Sequence, residues 1–180
     1  SAMRLGRKIS ALLVGSGDMD SKMREISAVG KITRKRVVIV QRRMTHYRIP
    51  MFDLLRDKLA QSGVDLEVVY GDPNWSEMKK NDSGLLAWGI YQPCHYWIKD
   101  RLCWQNPGRQ FRNADLVIVT HENKLLYNLI LLFGKRNFKL AFWGHGANMQ
   151  ASSHNSLLEK WKAWTSNLVD WWFAYTGLTV

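Results

Sequence analysis

The feature that most constrains the fold of this chain is a strand–helix–strand pattern near its start. Residues 37–40 (VVIV) form a short β-branched run, typical of a strand buried on both faces of a sheet. Residues 49–59 place apolar side chains three and four positions apart, and Pro50 suits the first turn of a helix. Gly63 is typical of a helix C-terminus, and residues 64–70 (VDLEVVY) predict the next strand. This βαβ unit predicts parallel strands joined by a right-handed crossover.

The same pattern returns in the second half of the chain. Further strands are predicted over residues 115–120, 139–143 and 170–176, and further helices over 123–133 and 155–168. Between the halves, residues 74–112 predict irregular structure with one short strand near residues 96–98. This repeated alternation predicts an α/β fold, a Rossmann-like, doubly wound and mainly parallel sheet.

The positive charge of the chain is concentrated before the first predicted strand. Residues 3–36 carry nine Lys and Arg against three acids, so 9 − 3 = +6 of the net charge of 26 − 15 = +11 lies there. We therefore predict a basic extension over residues 1–36, either loosely packed or separately attached, followed by a domain over residues 37–180. Residues 1–2 resemble a tag remnant.

Composition excludes several classes of protein. The apolar fraction of 46% and the charged fraction of 23% are those of a folded domain, which excludes wholesale disorder. Cys94 and Cys103 are too few for a disulfide framework and have no C-x-x-C spacing, so we expect a reduced, cytoplasmic setting and no metal site. No apolar run of about 18 residues predicts a membrane span. The basic balance favours a polyanionic partner: nucleic acid, nucleotide phosphates or an acidic membrane surface.

The carboxyl ends of the predicted strands hold the candidate site, because ligands of open parallel sheets bind in the crevice beyond them. Residues 41–48 form a predicted loop beside a helix N-terminus, where guanidinium and backbone N–H groups would bind an anion. The candidate binding residues of this loop are Arg42, Arg43, Thr45, His46, Tyr47 and Arg48. An ordinary solvated basic loop is the alternative. The absence of G-x-G-x-x-G disfavours a dinucleotide.

Later strand ends add further candidates. Glu122 is a candidate carboxylate that accepts hydrogen bonds from sugar hydroxyls or acts as a base. The alternative is an ordinary acidic residue near a helix N-terminus. Gly144 and Gly146 flank His145, which fits either a histidine held at the crevice or a tight turn. The other candidate binding residues at these ends are Asn148 and Thr176.

Five segments occur in a recognisable order: VVIVQRRMTHYRIPMFDLLRDKL, VDLEVVYGDP, ADLVIVTHENKLLYN, KLAFWGHGANMQ and VDWWFAYTGLTV. Together, over roughly residues 37–180, they resemble the N-terminal half of a bacterial group 1 glycosyltransferase, of the retaining family four with the GT-B fold. The resemblance implies two Rossmann-like domains facing across a cleft. The N-terminal domain would hold the acceptor, and a C-terminal domain absent from this chain would hold the nucleotide-sugar donor.

The resemblance also implies an activity. The full-length enzyme would be a retaining hexosyl-type transferase that moves a sugar from a nucleotide-diphosphate donor to a glycan or lipid-linked acceptor. The setting would be cell-surface polysaccharide synthesis, such as lipopolysaccharide or capsule, at the cytoplasmic face of the membrane. Neither a metal nor another cofactor would be needed. This chain alone would be inactive and would work with its own C-terminal domain and an anionic membrane surface.

Site residues follow from the resemblance where the motifs match. His145 would be the catalytic residue, close to the reacting sugar, and Glu122 would match a polar cleft position. Residues 45–48 would line the cleft near acceptor and donor phosphates. Many relatives have a glycine pair in the first loop, where this chain has Arg42-Arg43-Met44-Thr45, which favours guanidinium contact with phosphate over backbone contact.

Two alternatives remain open at this point. A non-catalytic GT-B-like half-domain that binds sugars or docks to another chain fits the same residues. A nucleic-acid-binding module fits the net charge and the nine Trp. No nucleic-acid motif is present, however, and most of the charge excess lies before the domain, so we expect no nucleic-acid partner.

We expect His145→Ala to lower turnover strongly in an enzyme that includes the donor domain, while the fold stays intact. The physical reason is the loss of a side chain that holds or polarises the reacting group. Sugar transfer and circular dichroism would measure the two effects. Activity close to that of the wild type would remove His145 from the site.

Overall fold

The structure is a computed structural model that describes residues 2–14, 34–122, 124–144, 160 and 164–174. The helices there are α1 (Ala2–Val14), α2 (Ile49–Gln61), α3 (Trp75–Met78) and α4 (Leu126–Phe133), with a 3-10 turn over His46–Arg48. The strands there are β1 (Lys35–Arg43), β2 (Val64–Gly71), β3 (Ile90–Tyr91), β4 (His95–Trp97), β5 (Leu102–Trp104), β6 (Leu116–Thr120), β7 (Lys139–Gly144) and β8 (Trp171–Ala174). Residues 160 and 164–166 are also helical.

Six of these strands form one parallel sheet in the order β3-β2-β1-β6-β7-β8. Strands β2 and β3 are added on one side of β1, and strands β6, β7 and β8 are then added on the other side. The crevice between the carboxyl ends of β1 and β6 is therefore the topological switch point of the sheet. The prediction of a Rossmann-like, mainly parallel α/β fold is confirmed. Strands β4 and β5 form a separate antiparallel hairpin.

The central strand β1 separates two hydrophobic clusters. Ile39 lies in a cluster with Phe52 of α2, and Val38 lies in the opposite cluster with Leu131 of α4. Every residue of the VVIV run is buried, which is why the strand is apolar without alternation. Each such side chain stabilises the fold by about 1.5–3 kcal/mol relative to an exposed one.

Helix α1 packs on the domain. Ile9 is fully buried in the cluster that contains Phe52, and Leu5 and Leu12 pack against that cluster. Gly6 lies beside Leu55 of α2, where a Cβ would make an ordinary contact at 3.6 Å with Leu55 Cδ1. The basic charge of this helix predicted a loosely packed extension, but its apolar stripe covers α2, so that expectation is corrected for residues 2–14.

Strand β1 is longer than its apolar run. It begins at Lys35, two residues earlier than predicted, and continues through Arg43. Gln41 and Arg43 pair with the consecutive residues Tyr70 and Gly71 of β2, with a register shift between them. The prediction of a loop from Gln41 onward was wrong, because pairing with β2 extends the strand beyond its apolar residues.

Several other boundaries differ from the predicted ones. The segment 74–112 contains α3, β3 and a two-stranded hairpin instead of one short strand. Helix α4 begins at Leu126 instead of residue 123, which lies outside the described residues. The last strand begins at Trp171, one residue later than predicted. No helix within the described residues is long and apolar enough to cross a membrane.

Replacing Ile9 with alanine tests the packing of α1. We expect Ile9→Ala to lower the free energy of unfolding by about 2–5 kcal/mol, because it leaves a cavity in the core. Leu54→Ala is the control, since Leu54 is 40% exposed on α2 and its loss costs less than about 1 kcal/mol. Urea unfolding measures both. Equal effects of the two substitutions would contradict the buried position of Ile9.

Candidate functional site: a charge network at the switch point

Arg42 stands at the carboxyl end of β1, where the crevice between β1 and β6 opens. Its side chain is 7% exposed. Both terminal nitrogens donate to the Glu77 carboxylate at 2.6 Å, and Nε donates to Glu122 at 3.2 Å. The hydroxyl of Tyr96 accepts a further bond at 3.0 Å. The switch point is therefore occupied by a buried guanidinium bound to two carboxylates.

Glu77 lies in the first turn of α3, and the N-terminus of that helix holds its side chain in place. The Asn74 side chain accepts a hydrogen bond from the Glu77 N–H, and the Glu77 carboxylate accepts one from the Asn74 N–H. This is a reciprocal capping box, which satisfies two backbone donors at the start of the helix. The same carboxylate binds Arg42. The Glu77 side chain therefore both caps the N-terminus of α3 and neutralises the charge of Arg42 on β1.

The electrostatics of the Arg42–Glu77 pair favour the charged forms. Burial by itself raises the pKa of Glu77, but hydrogen bonds from Arg42 and Asn74 outweigh burial and lower it to about 2. Burial likewise opposes the charge of Arg42, and the hydrogen bond to Glu77 with the charge of Glu122 raises its pKa above the ordinary value. Both groups stay ionised at neutral pH.

Two more ion pairs extend this arrangement. Arg43 binds Asp82 with distances of 2.6 and 3.1 Å and lies 3.6 Å from Glu77. Lys124 Nζ lies 3.3 Å from the Glu122 carboxylate. We call the whole set the charge network: Arg42, Arg43, Lys124, Glu77, Asp82 and Glu122. Three positive and three negative charges balance within it.

This balance weighs against the interpretation of residues 41–48 as an anion-binding loop, which stays a prediction. The guanidinium groups of Arg42 and Arg43 bind carboxylates of the same chain. Arg48 donates to the Gln41 side chain at 2.8 Å instead of facing an empty pocket. A phosphate at Arg42 would have to displace Glu77 from a buried bidentate pair, which is costly.

The remaining candidates of the first loop divide into buried and exposed residues. Thr45 is buried and forms a bridge with Ser83. His46 and Tyr47 are exposed, and a ring nitrogen of His46 lies 3.1 Å from the Asp82 carbonyl oxygen. His46 and Tyr47 therefore face solvent beside the network.

The structure brings Glu122, a candidate from a later strand end, into contact with Arg42. The Glu122 side chain keeps 34% exposure and is the open end of the network. Gly144 ends β7 and lies against His121, because a Cβ on it would be 3.6 Å from the His121 Cβ. The candidates His145, Gly146, Asn148 and Thr176 lie outside the described residues.

Sequence reasoning missed three residues that shape the site. Glu77 and Tyr96 hold Arg42, and only the N-x-x-E spacing from Asn74 to Glu77 offered a local signal. His121 stacks on Phe142 with ring centroids 4.3 Å apart, and its Nε2 lies 3.2 Å from Thr165 Oγ1. Nothing in the sequence around His121 marks that packing.

The described residues contain no group of three or more His, Cys, Asp or Glu side chains placed to hold a metal ion. Comparisons with protein-family models, with curated proteins and with solved structures found no match to this chain. The resemblance drawn from the sequence therefore stays a prediction.

Glu77→Gln tests the network through its pH dependence. We expect it to lower the free energy of unfolding at pH 7 by about 3 kcal/mol, the lower end for a broken buried pair, because Glu122 still faces Arg42. The pKa of Glu77 lies below its ordinary 4.5, so its stabilisation is complete above pH 4.5 and is lost as pH falls through about 2.

Urea unfolding of both proteins between pH 7 and pH 2 gives the measurement. Glu67→Gln is the control, because the Glu67 carboxylate also forms a bidentate pair with an arginine, Arg36, but a more exposed one. Its effect should stay below about 1 kcal/mol. A Glu77→Gln effect that is unchanged at pH 2 would contradict the assigned pair.

Proposed function

We propose that this chain is the acceptor-binding half of a retaining GT-B glycosyltransferase. The observation that carries the proposal is the partly exposed Glu122 carboxylate at the switch point of a Rossmann-like sheet, fixed by Arg42 and Lys124. Carboxylates held in place by other groups accept hydrogen bonds from hydroxyls without further ordering cost. The resemblance of five ordered segments supplies the enzyme class.

The neutral charge network supports an acceptor role over a donor role. A nucleotide diphosphate needs unpaired positive groups or free helix N–H donors. Arg42 and Arg43 are committed to Glu77 and Asp82 instead. The donor diphosphate would therefore bind mainly to the second domain of the enzyme, and this half would position a sugar hydroxyl.

The mechanism divides between the two halves. Retaining transfer depends on stabilising the leaving diphosphate, which the donor domain would supply. In this chain, Glu122 would orient the acceptor, with the exposed His46 and Tyr47 at the rim. His145, directly after β7, would hold or polarise the reacting group, as the resemblance implies.

The ion pairs weigh against a nucleic-acid-binding module. At the amino ends of the strands, Lys35 binds Asp115 at 2.8 Å and Arg36 binds Glu67 at 2.7 Å. Cations that are neutralised within the chain release few counterions on binding to phosphates. Of the net charge of +11, +6 lies in residues 3–36, so residues 37–180 carry 11 − 6 = +5.

Glu122→Gln in the 180-residue chain tests the proposal. The probes are a panel of mono- and disaccharides, followed by saturation-transfer NMR, and UDP-glucose and GDP-mannose, followed by calorimetry. We expect weak saccharide binding that Glu122→Gln weakens about tenfold, the loss of one charged hydrogen bond. Glu67→Gln should bind as the wild type does. Tight binding of a nucleotide sugar, or saccharide binding unaffected by Glu122→Gln, would overturn the acceptor assignment.

A further inference from the structure

The two faces of the β4–β5 hairpin have different surroundings. Tyr96 faces the charge network, where its hydroxyl accepts a hydrogen bond from Arg42 at 3.0 Å and donates one to the Asp72 carbonyl oxygen at 2.6 Å. Successive residues of a strand point to opposite faces, so His95 and Trp97 lie on the outer face. Both side chains are exposed, Trp97 by 48%. The outer face of the hairpin is therefore an aromatic surface that solvent reaches.

Four rings form one strip that runs along this face and onto α4. The ring centroids of His95 and Trp97 lie 6.4 Å apart, and the two ring planes are within 22° of parallel. Trp104 is paired with His95 across the hairpin and therefore shares its face. The ring of Trp104 meets the ring of Tyr127 on α4 edge to face, with centroids 5.3 Å apart. We call these four residues the aromatic strip.

A small cavity adjoins the aromatic strip, between α4 and the carboxyl ends of β1 and β6. Tyr127 of the strip lines this cavity together with the buried side chains of Gln105 and Asn128. The amide nitrogen of Gln105 donates to the Gln92 carbonyl oxygen at 3.3 Å, and that of Asn128 donates to the Thr120 carbonyl oxygen at 2.9 Å. These bonds fix both amide groups and leave their oxygens as acceptors for ligand hydroxyls.

The strip and the cavity are built from uncharged residues. Each described residue that lines the cavity is uncharged. Residues 84–98 and 102–108 contain no Lys, Arg, Asp or Glu, although such residues make up 23% of the chain. A phosphate or carboxylate placed there would lose water without gaining a counter-charge. This surface therefore fits an uncharged ligand that has an apolar ring face and hydrogen-bonding groups at its edge.

We propose that the aromatic strip and the cavity form a saccharide-binding site, in which Trp97 stacks on one sugar ring of a neutral oligosaccharide. The face of an aromatic ring carries partial negative charge, which attracts the polarised C–H groups on the face of a pyranose. A second sugar ring lies toward Tyr127, where its hydroxyls reach the amide groups of Gln105 and Asn128. Apolar walls with a few placed polar groups are typical of small-ligand sites.

The distribution of charge favours a saccharide over a nucleic acid on this surface. Nucleic-acid bases also stack on aromatic rings, but their backbone needs a track of cations beside those rings. The charges of the hairpin are confined to its tip, residues 99–101, where one acid offsets one of two cations. The site is independent of the glycosyltransferase assignment, because it requires neither Glu122 nor a transfer step.

NMR titration of the 180-residue chain with neutral tetrasaccharides of glucose, mannose and N-acetylglucosamine, beside their monosaccharides, tests the proposal. We expect at least one tetrasaccharide to bind more tightly than its monosaccharide, and Trp97→Ala to weaken that binding about tenfold through the loss of one stacking contact. Trp97→Leu should weaken it as much, whereas Trp97→Phe keeps an aromatic face and should retain most of it. Trp171→Ala is the matched control, because Trp171 is 44% exposed on β8 and lies outside the strip.

Three results would each overturn the saccharide site: no tetrasaccharide binding at millimolar concentration, binding that Trp97→Ala leaves unchanged, and an equal loss in Trp171→Ala. Tighter binding of a short oligothymidylate, lost in Trp97→Ala, would assign the strip to nucleic acid instead. Glu122→Gln separates this site from the crevice. Binding that Trp97→Ala weakens and Glu122→Gln does not would support the strip even if the acceptor assignment fails, and the opposite pattern would overturn the strip alone.

Discussion

The structure depends on the position of β1, which is hydrogen-bonded on both edges and buried on both faces. The run of residues 37–40 in this strand is buried, and the first charged side chain after it, Arg42, is buried too and therefore needs partners inside the protein. The carboxylates of Glu77 and Glu122, from elements on either side, supply those partners and fix where the elements lie.

A balanced network gives the crevice a different chemistry from that of a basic loop. Its groups are paired with one another and their charges cancel, so under the proposed function it would recognise a ligand by hydrogen-bond geometry rather than by net attraction. Polyhydroxylated ligands would suit such a surface better than anions. The partly exposed carboxylate of Glu122 would then be the group that such a ligand contacts.

Local apolar patterns in the sequence predicted most strands of the sheet. The buried run at residues 37–40 and the stripe of α2 each reveal local burial, and the observed elements agree with them. The extension of β1 through Arg43 depends on β2, which no local pattern shows. The pairing of Arg42 with Glu77, 35 residues apart, has no local signal either. Burial of Ile9 was obscured by the charges around it.

Helix α3 has four residues, too few to be stable by its own hydrogen bonds. Because Glu77 both caps this helix and neutralises Arg42, unwinding α3 would leave a positive charge without its main partner. Unwinding of α3 therefore carries an electrostatic cost at the end of β1. The shortest α-helix of the described residues is thus stabilised by a charge rather than by its length.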